Sequence, residues 1–148
     1  MAIDLMGPYL TYVVAWEQAY ASDDWSLLTP YFTEDAIYEI EGSDKLAGRH
    51  AGRATVLGFF KNITTQFDKR FDRREIVVLG VFPVGDDKMR MTWIARYHLS
   101  GVHPLEITGE ELAIFAGHRI AHLYHRLASG TGEIVGTFMA QHGARLRQ

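Results

Sequence analysis

The run from Tyr9 to Phe60 constrains this chain most. Tyr9, Tyr12, Val13, Trp16 and Tyr20 recur at helical spacing, with Thr11, Glu17 and Gln18 off the stripe. Pro8 suits the first turn of that helix, where a missing N–H costs nothing. Ser22-Asp23-Asp24 ends it and supplies an Asp to cap a short helix from Trp25 to Phe32. Asp35 precedes a strand over Ala36 to Glu41, and residues 42–52, with Gly42, Gly48 and Gly52, read as a loop. Val56, Phe59, Phe60, Ile63 and Phe67 then form the apolar stripe of a second long helix. Two one-sided helices this early need a sheet to cover them.

The rest of the chain supplies that sheet. The charged segment Asp68-Lys69-Arg70-Phe71-Asp72-Arg73-Arg74 reads as a solvated loop. Strands follow over 75–82, 89–99, 105–115 and 119–127, with Gly85-Asp86-Asp87-Lys88 as a hairpin turn and further turns at 100–104 and 116–118. Alternation is blurred in Met89 to Leu99, as in a strand buried on both faces. Residues 130–148 read as a link and a short C-terminal helix. Helices first and an antiparallel sheet after them make an α+β domain, and bulges or glycines curve such a sheet part-way into a cone. At 148 residues, one domain over 1–148 is the simplest expectation.

Composition excludes several classes. Net charge is −3 and no run of basic residues exceeds two, so nothing resembles the basic stripe of a nucleic-acid binder. No cysteine is present, so disulfides, thiolate nucleophiles and zinc–thiolate sites are excluded, which fits a cytoplasmic protein. No apolar run approaches the roughly 20 residues of a bilayer span, and the first residues lack the pattern of a signal peptide. Gly48-Arg49-His50-Ala51-Gly52-Arg53 lacks the Lys-Ser/Thr of a phosphate loop and is placed at the mouth of the cone, where Arg49 or His50 would gate it. The histidines offer no strong metal-ligand spacing, so neither a metal nor a cofactor is expected.

Asp24-Trp25, then Tyr31-Phe32-Thr33-Glu34-Asp35-Ala36 leading into a strand, then Gly52-Arg53-Ala54-Thr55-Val56 opening a helix, resemble the nuclear transport factor 2-like superfamily and its SnoaL-like proteins. Gly109-Glu110-Glu111-Leu112-Ala113-Ile114-Phe115, followed by a turn and Arg119-Ile120, extends the match to roughly residues 9–127. The resemblance implies a cystatin-like α+β roll: a cone-shaped, curved mixed or antiparallel sheet wrapped around N-terminal helices, often dimeric. It does not imply one activity, because this superfamily includes isomerases, cyclases, dehydratases, epoxide hydrolases and binding modules. The Tyr and Asp slots of the ketosteroid isomerases fall on Trp16 and Ile40, while their later acid has a counterpart in Glu111. The Arg-x-Asp of limonene epoxide hydrolases falls on Arg96-Tyr97-His98, and their last-strand Asp, shared with SnoaL-type cyclases, falls on His125. Two carboxylate slots thus hold histidines, which titrate nearest neutrality.

If the strand faces meet inside the cone, Arg96, His98, Glu111 and His125 converge. His125 is then base or acid, His98 a second proton relay, Glu111 the orienting group and Arg96 the charge stabiliser. Equally, Arg96 and Glu111 form a cross-strand ion pair and the histidines are half-buried sheet residues. Trp16, Tyr12, Tyr20, Tyr38, Ile40, Phe59, Ala113 and Phe115 either line the cavity or fill the core. The expected ligand is a small, largely apolar organic molecule, and the expected chemistry is cofactor-independent isomerisation, dehydration or cyclisation. The alternative is a non-catalytic ligand-binding or dimerisation module. An apolar outer sheet face of Leu112, Ile114, Val77 and Leu79 would serve a homodimer.

Overall fold

Tyr9, Tyr12, Ala15 and Ala19 make up the buried stripe of α1 (Met6–Ser22). The helix stops where Asp23 turns left-handed (φ 61°), and the Oδ1 of Asp24 accepts from the Ser26 N–H at 3.2 Å to start a 3₁₀ helix over Trp25–Tyr31. This computed structural model describes residues 4–42 and 47–148; positions 43–46 of the expected loop and residues 1–3 lie outside the described residues. The strands and further α-helices are β1 (Phe32–Glu41), β2 (Gly48–Ala51), α2 (Arg53–Gln66), β3 (Arg73–Val84), β4 (Lys88–His98), β5 (Leu105–Ala116), β6 (Arg119–Leu127) and α3 (Thr131–His142), with short 3₁₀ turns at Asp68–Arg70 and Gly143–Arg145.

Among the described residues six strands form one sheet, in the order β2-β1-β6-β5-β4-β3. The β1–β6 pair is parallel and the other pairs are antiparallel, so the sheet is mixed. Register breaks at Phe32/Ile37, Val78/Gly80 and Ile114/Phe115 bend it, because each puts extra chain on one side of a ladder. The first strand begins at Phe32 rather than Ala36, and Asp35 sits in its irregular stretch. Residues 48–51, expected as loop, pair with β1 as a short edge strand.

Two apolar clusters fill the fold. The first gathers α1, the 3₁₀ helix and α2 against the sheet, around Tyr9, Leu28, Phe32 and Phe60. The second lies under α3, around Phe71, Tyr97, Leu105 and Phe138. Ile40 and Trp93 pack against both. Among the described residues no helix is long and apolar enough to cross a membrane.

The alternation of β4 is regular where the sequence reading expected it blurred. Met89, Met91, Ala95 and Tyr97 are buried, and Arg90, Thr92, Arg96 and His98 occupy the opposite face. The segment 68–74 is not a solvated loop either: Asp68 is 8% exposed and Phe71 2%, and Arg73 already begins β3.

Candidate functional site

A cavity of about 180 Å³ lies between the helices and the concave sheet face. Val13 and Trp16 of α1, Phe59 and Ile63 of α2, Ile76 and Val78 of β3, Trp93 and Ala95 of β4 and Leu127 of β6 give it a predominantly apolar wall. The inward positions of neighbouring strands align: Val78 pairs with Trp93, Ile76 with Ala95 and Arg74 with Tyr97.

One polar group of residues meets this wall on β5 and β6. Glu111 pairs directly with His125 across the ladder, and both line the cavity. The His125 Nε2 lies 2.6 Å from the Glu111 Oε1, and its Nδ1 lies 2.7 Å from the Tyr38 hydroxyl. The Tyr9 hydroxyl donates to the other carboxylate oxygen of Glu111. An ionised carboxylate only accepts, so Nε2 carries a proton toward Glu111 and, in the neutral ring, Nδ1 accepts from Tyr38. Tyr9 is fully buried and Tyr38 is 3% exposed. Burial, with the charge of Glu111 adding to it, lifts both phenols well above their ordinary range, so both remain protonated donors. The result is a hydrogen-bonded chain Tyr38–His125–Glu111–Tyr9 that borders an apolar cavity. Such a chain accepts a proton at the imidazole and holds the resulting cation against a carboxylate.

A second polar group meets the same cavity near the other end of β4. Asp68 follows α2 and receives the Tyr97 hydroxyl at 3.4 Å, while the Arg74 Nε lies 3.1 Å away. Arg74 reaches α1, where its Nη1 and Nη2 donate to the two Glu17 oxygens at 3.0 and 3.2 Å. Its guanidinium also sits 5.1 Å from the Trp16 ring centre and 4.6 Å from that of Tyr20. Burial raises the Asp68 carboxyl from 3.8 to about 6, against the opposing pull of Arg74.

No family model and no curated protein sequence matches the chain. Solved structures do. A candidate isomerase from Rhodopseudomonas palustris matches with a TM-score of 0.68 at 18% identity, over 88% of this chain and 96% of that one. A hypothetical protein of ketosteroid isomerase-like fold from Catenulispora acidiphila, in complex with trimethylamine, matches with a TM-score of 0.58 at 16% identity, over 77% and 82%. A candidate SnoaL-like polyketide cyclase from Shewanella putrefaciens matches with a TM-score of 0.62 at 9% identity, over 88% and 84%. The chain has the nuclear transport factor 2-like fold.

Within this nuclear transport factor 2-like cone the expected site residues divide. Glu111, His125, Tyr12, Trp16, Tyr38, Ile40 and Phe59 all line the cavity. Arg96 and His98 do not converge with them. They lie on the opposite sheet face, where Arg96 Nε meets Glu106 at 2.6 Å and His98 Nε2 meets Glu75 at 3.1 Å. The physical reason is register: Arg96 pairs with Glu106, whereas Glu111 pairs with Met91, so Arg96 and Glu111 fall on different faces and form no ion pair. Tyr20 stands outside the cavity wall, stacked on Trp16 with ring centres 5.9 Å apart. Ala113 and Phe115 are buried in the first apolar cluster rather than lining the cavity. At the expected gate, Arg49 bonds Glu39 and His50 stacks on Phe59, and neither lines the cavity.

The sequence reading missed Tyr9, Asp68 and Arg74 as polar members of the site. Tyr9 carried a signal in heading the α1 stripe. Arg74, Ile76 and Val78 carried another, a period-two row that begins one residue before the expected strand. Among the described residues no three His, Cys, Asp or Glu side chains are placed to hold a metal ion.

Proposed function

We propose that the chain binds a small, largely apolar organic molecule in the cone and moves a proton on it by acid–base chemistry centred on His125. The observation that carries this reading is the Tyr38–His125–Glu111–Tyr9 chain at the cavity wall, with contacts of 2.7 and 2.6 Å on the two imidazole nitrogens. In the proposed step the Tyr38 oxygen takes a proton from an activated C–H of the ligand while its own proton passes to the His125 Nδ1. Tyr38 thus stays neutral, as its raised pKa requires, and the charge appears on an imidazolium held by Glu111. Returning the proton at a neighbouring carbon isomerises the ligand, whereas delivering it through Tyr38 to a departing β-hydroxyl releases water, forms the C=C bond and restores the neutral imidazole. Neighbours of the same fold support the class: one is described as a candidate isomerase, and another holds a small organic molecule.

The test uses a generic carbon acid. Deuterium uptake at the α-carbons of cyclohexanone in D₂O, followed by proton NMR, should run faster with the protein than in buffer. General acid–base assistance of this kind contributes roughly 10²–10⁴-fold, and His125→Ala should remove it. Tyr38→Phe should slow exchange at least about tenfold. Exchange at the buffer rate with the parent chain, or an unchanged rate in His125→Ala, ends the catalytic reading.

A second reading follows from the outer sheet face. We propose that a second copy of the chain covers Val77, Leu112 and Ile114 there, making a homodimer in which each cone keeps its own cavity. A cytoplasmic location, in keeping with the absence of cysteine, belongs to the same proposal and would be checked by fractionation of cells expressing the chain.

A further inference from the structure

Resting on the reading of the cone as a ligand site, we infer that the ligand carries a hydrogen-bond donor, a hydroxyl or an ammonium, which Asp68 receives away from His125. Asp68 lines the cavity with a side chain only 10% exposed. An ionised carboxylate offers about four acceptor positions. Within the protein, the carboxylate is met by its own backbone N–H, Oδ2 takes one long bond from Tyr97 at 3.4 Å, and no side-chain donor among the described residues reaches Oδ1. Arg74 does not fill this capacity. Its Nε lies 3.1 Å from Oδ2, but its N–H is not aimed there and has no acceptor among the described residues, and its terminal nitrogens are held by Glu17. Stacking against Trp16 and Tyr20 fixes the guanidinium in that attitude.

The wall between the two polar groups is apolar, formed by Ile76, Trp93, Ala95 and Ile107. Asp68 meets Tyr97, and Glu111 pairs with Met91, six residues away on β4, so up to roughly 20 Å of strand separates the two backbones. A ligand lying along this wall presents its reacting carbon to Tyr38 and His125 and its donor to Asp68. An anionic ligand is disfavoured, because it would meet the carboxylates of Glu111 and Asp68 while Arg74 is already committed to Glu17. A donor facing a buried carboxylate should strengthen binding by roughly tenfold to a hundredfold.

Proton linkage gives a second handle. The groups facing Asp68 are Arg74 of β3, Glu17 and Tyr20 of α1, Tyr97 of β4 and, at longer range, Tyr38 of β1. Burial places the Asp68 carboxyl at about 6, so it is mainly ionised at neutral pH and protonated below. An ammonium ligand should therefore weaken about tenfold for each pH unit below that value, while an uncharged hydrocarbon should not respond.

The experiment titrates four probes of one skeleton, cyclohexylmethanol, cyclohexylmethylammonium, ethylcyclohexane and cyclohexanecarboxylate, into ¹⁵N-labelled chain. Binding is read from the indole N–H shifts of Trp16 and Trp93. The alcohol and the ammonium should bind at least tenfold tighter than ethylcyclohexane, and the carboxylate weakest. Asp68→Asn should cost the ammonium at least tenfold and leave ethylcyclohexane unchanged. Should that variant not fold, the parent chain titrated from pH 7.5 to 5 makes the same distinction. Ethylcyclohexane binding as tightly as the donors, or ammonium affinity flat across pH 6, overturns the inference and leaves the cavity reading standing. Failure of all four probes removes the cavity reading and the inference with it.

Discussion

Asp68 ionises among aromatic rings, and that should register in stability. Its carboxyl is raised from 3.8 to about 6 in the folded chain, chiefly by burial. The folded state thus holds this proton more tightly than the unfolded state. The stabilisation from this group is complete below about pH 4 and is lost as pH rises through about 6. Asp68→Asn cannot ionise, so its stability relative to the parent should improve by about 2–3 kcal/mol between pH 4 and pH 7.5. Urea unfolding of both proteins at the two pH values checks this, and a difference independent of pH would show that Asp68 titrates normally. The sequence hid this residue for a physical reason. A run of six charges around one Phe has the composition of a solvated loop, and only the third dimension shows Phe67 and Phe71 carrying the segment against Tyr97. Glu111 and His125 were legible as chemical groups on neighbouring strands but not as a pair: counting from the 116–118 turn sets Glu111 opposite Tyr124, and the bulge at Ile114/Phe115 moves it opposite His125.

Elements were easier to read than their facing. Period two correctly put Arg96 and His98 on one face of β4 but did not say which. The row they share with Arg90 and Thr92 is the polar one, and the complementary row of Met89, Met91, Trp93, Ala95 and Tyr97 faces the cone. Counting those two rows from Met89 would have decided the face. The neighbouring strand shows how that inner row is accommodated. Gly109 pairs with Trp93, and a Cβ there would stand 2.8 Å from both the Arg126 carbonyl oxygen and the Trp93 ring. The missing side chain is the space in which this indole lies. Gly109→Ala should destabilise the chain by about 1–3 kcal/mol, the usual cost of overpacking, and push Trp93 into the cavity. Urea unfolding gives the first effect, and a changed Trp93 indole N–H shift in the folded variant gives the second. An unperturbed Trp93 would mean that the strand backbone yields instead.

At the scale of the molecule, the cavity is the seam between two cores. Tyr12, Tyr38, Phe60 and Met91 reach it from the cluster under α1 and α2, and Ala95, Tyr97, Ile107 and Leu127 reach it from the cluster under α3. Two clusters packed against one curved sheet leave a gap where neither can fill the bend. The same curvature leaves the outer face and one edge uncovered. Edge strand β3 exposes Val78 at 47%, Leu79 at 60%, Phe82 at 40% and Val84 at 38%. Its outer neighbours include half-buried Val77, Leu112 and Ile114. An edge strand that is long, apolar and free of covering helix promotes self-association unless a specific partner occupies the surface. The proposed homodimer supplies that partner. Sedimentation velocity at tens of micromolar should therefore give a species of twice 16.8 kDa. Leu79→Lys, at a position too exposed to disturb the core, should shift it toward the single chain with unchanged circular dichroism. A parent chain that sediments as a monomer would show that the outer face stands in water, and its apolar residues would then be a liability rather than an interface.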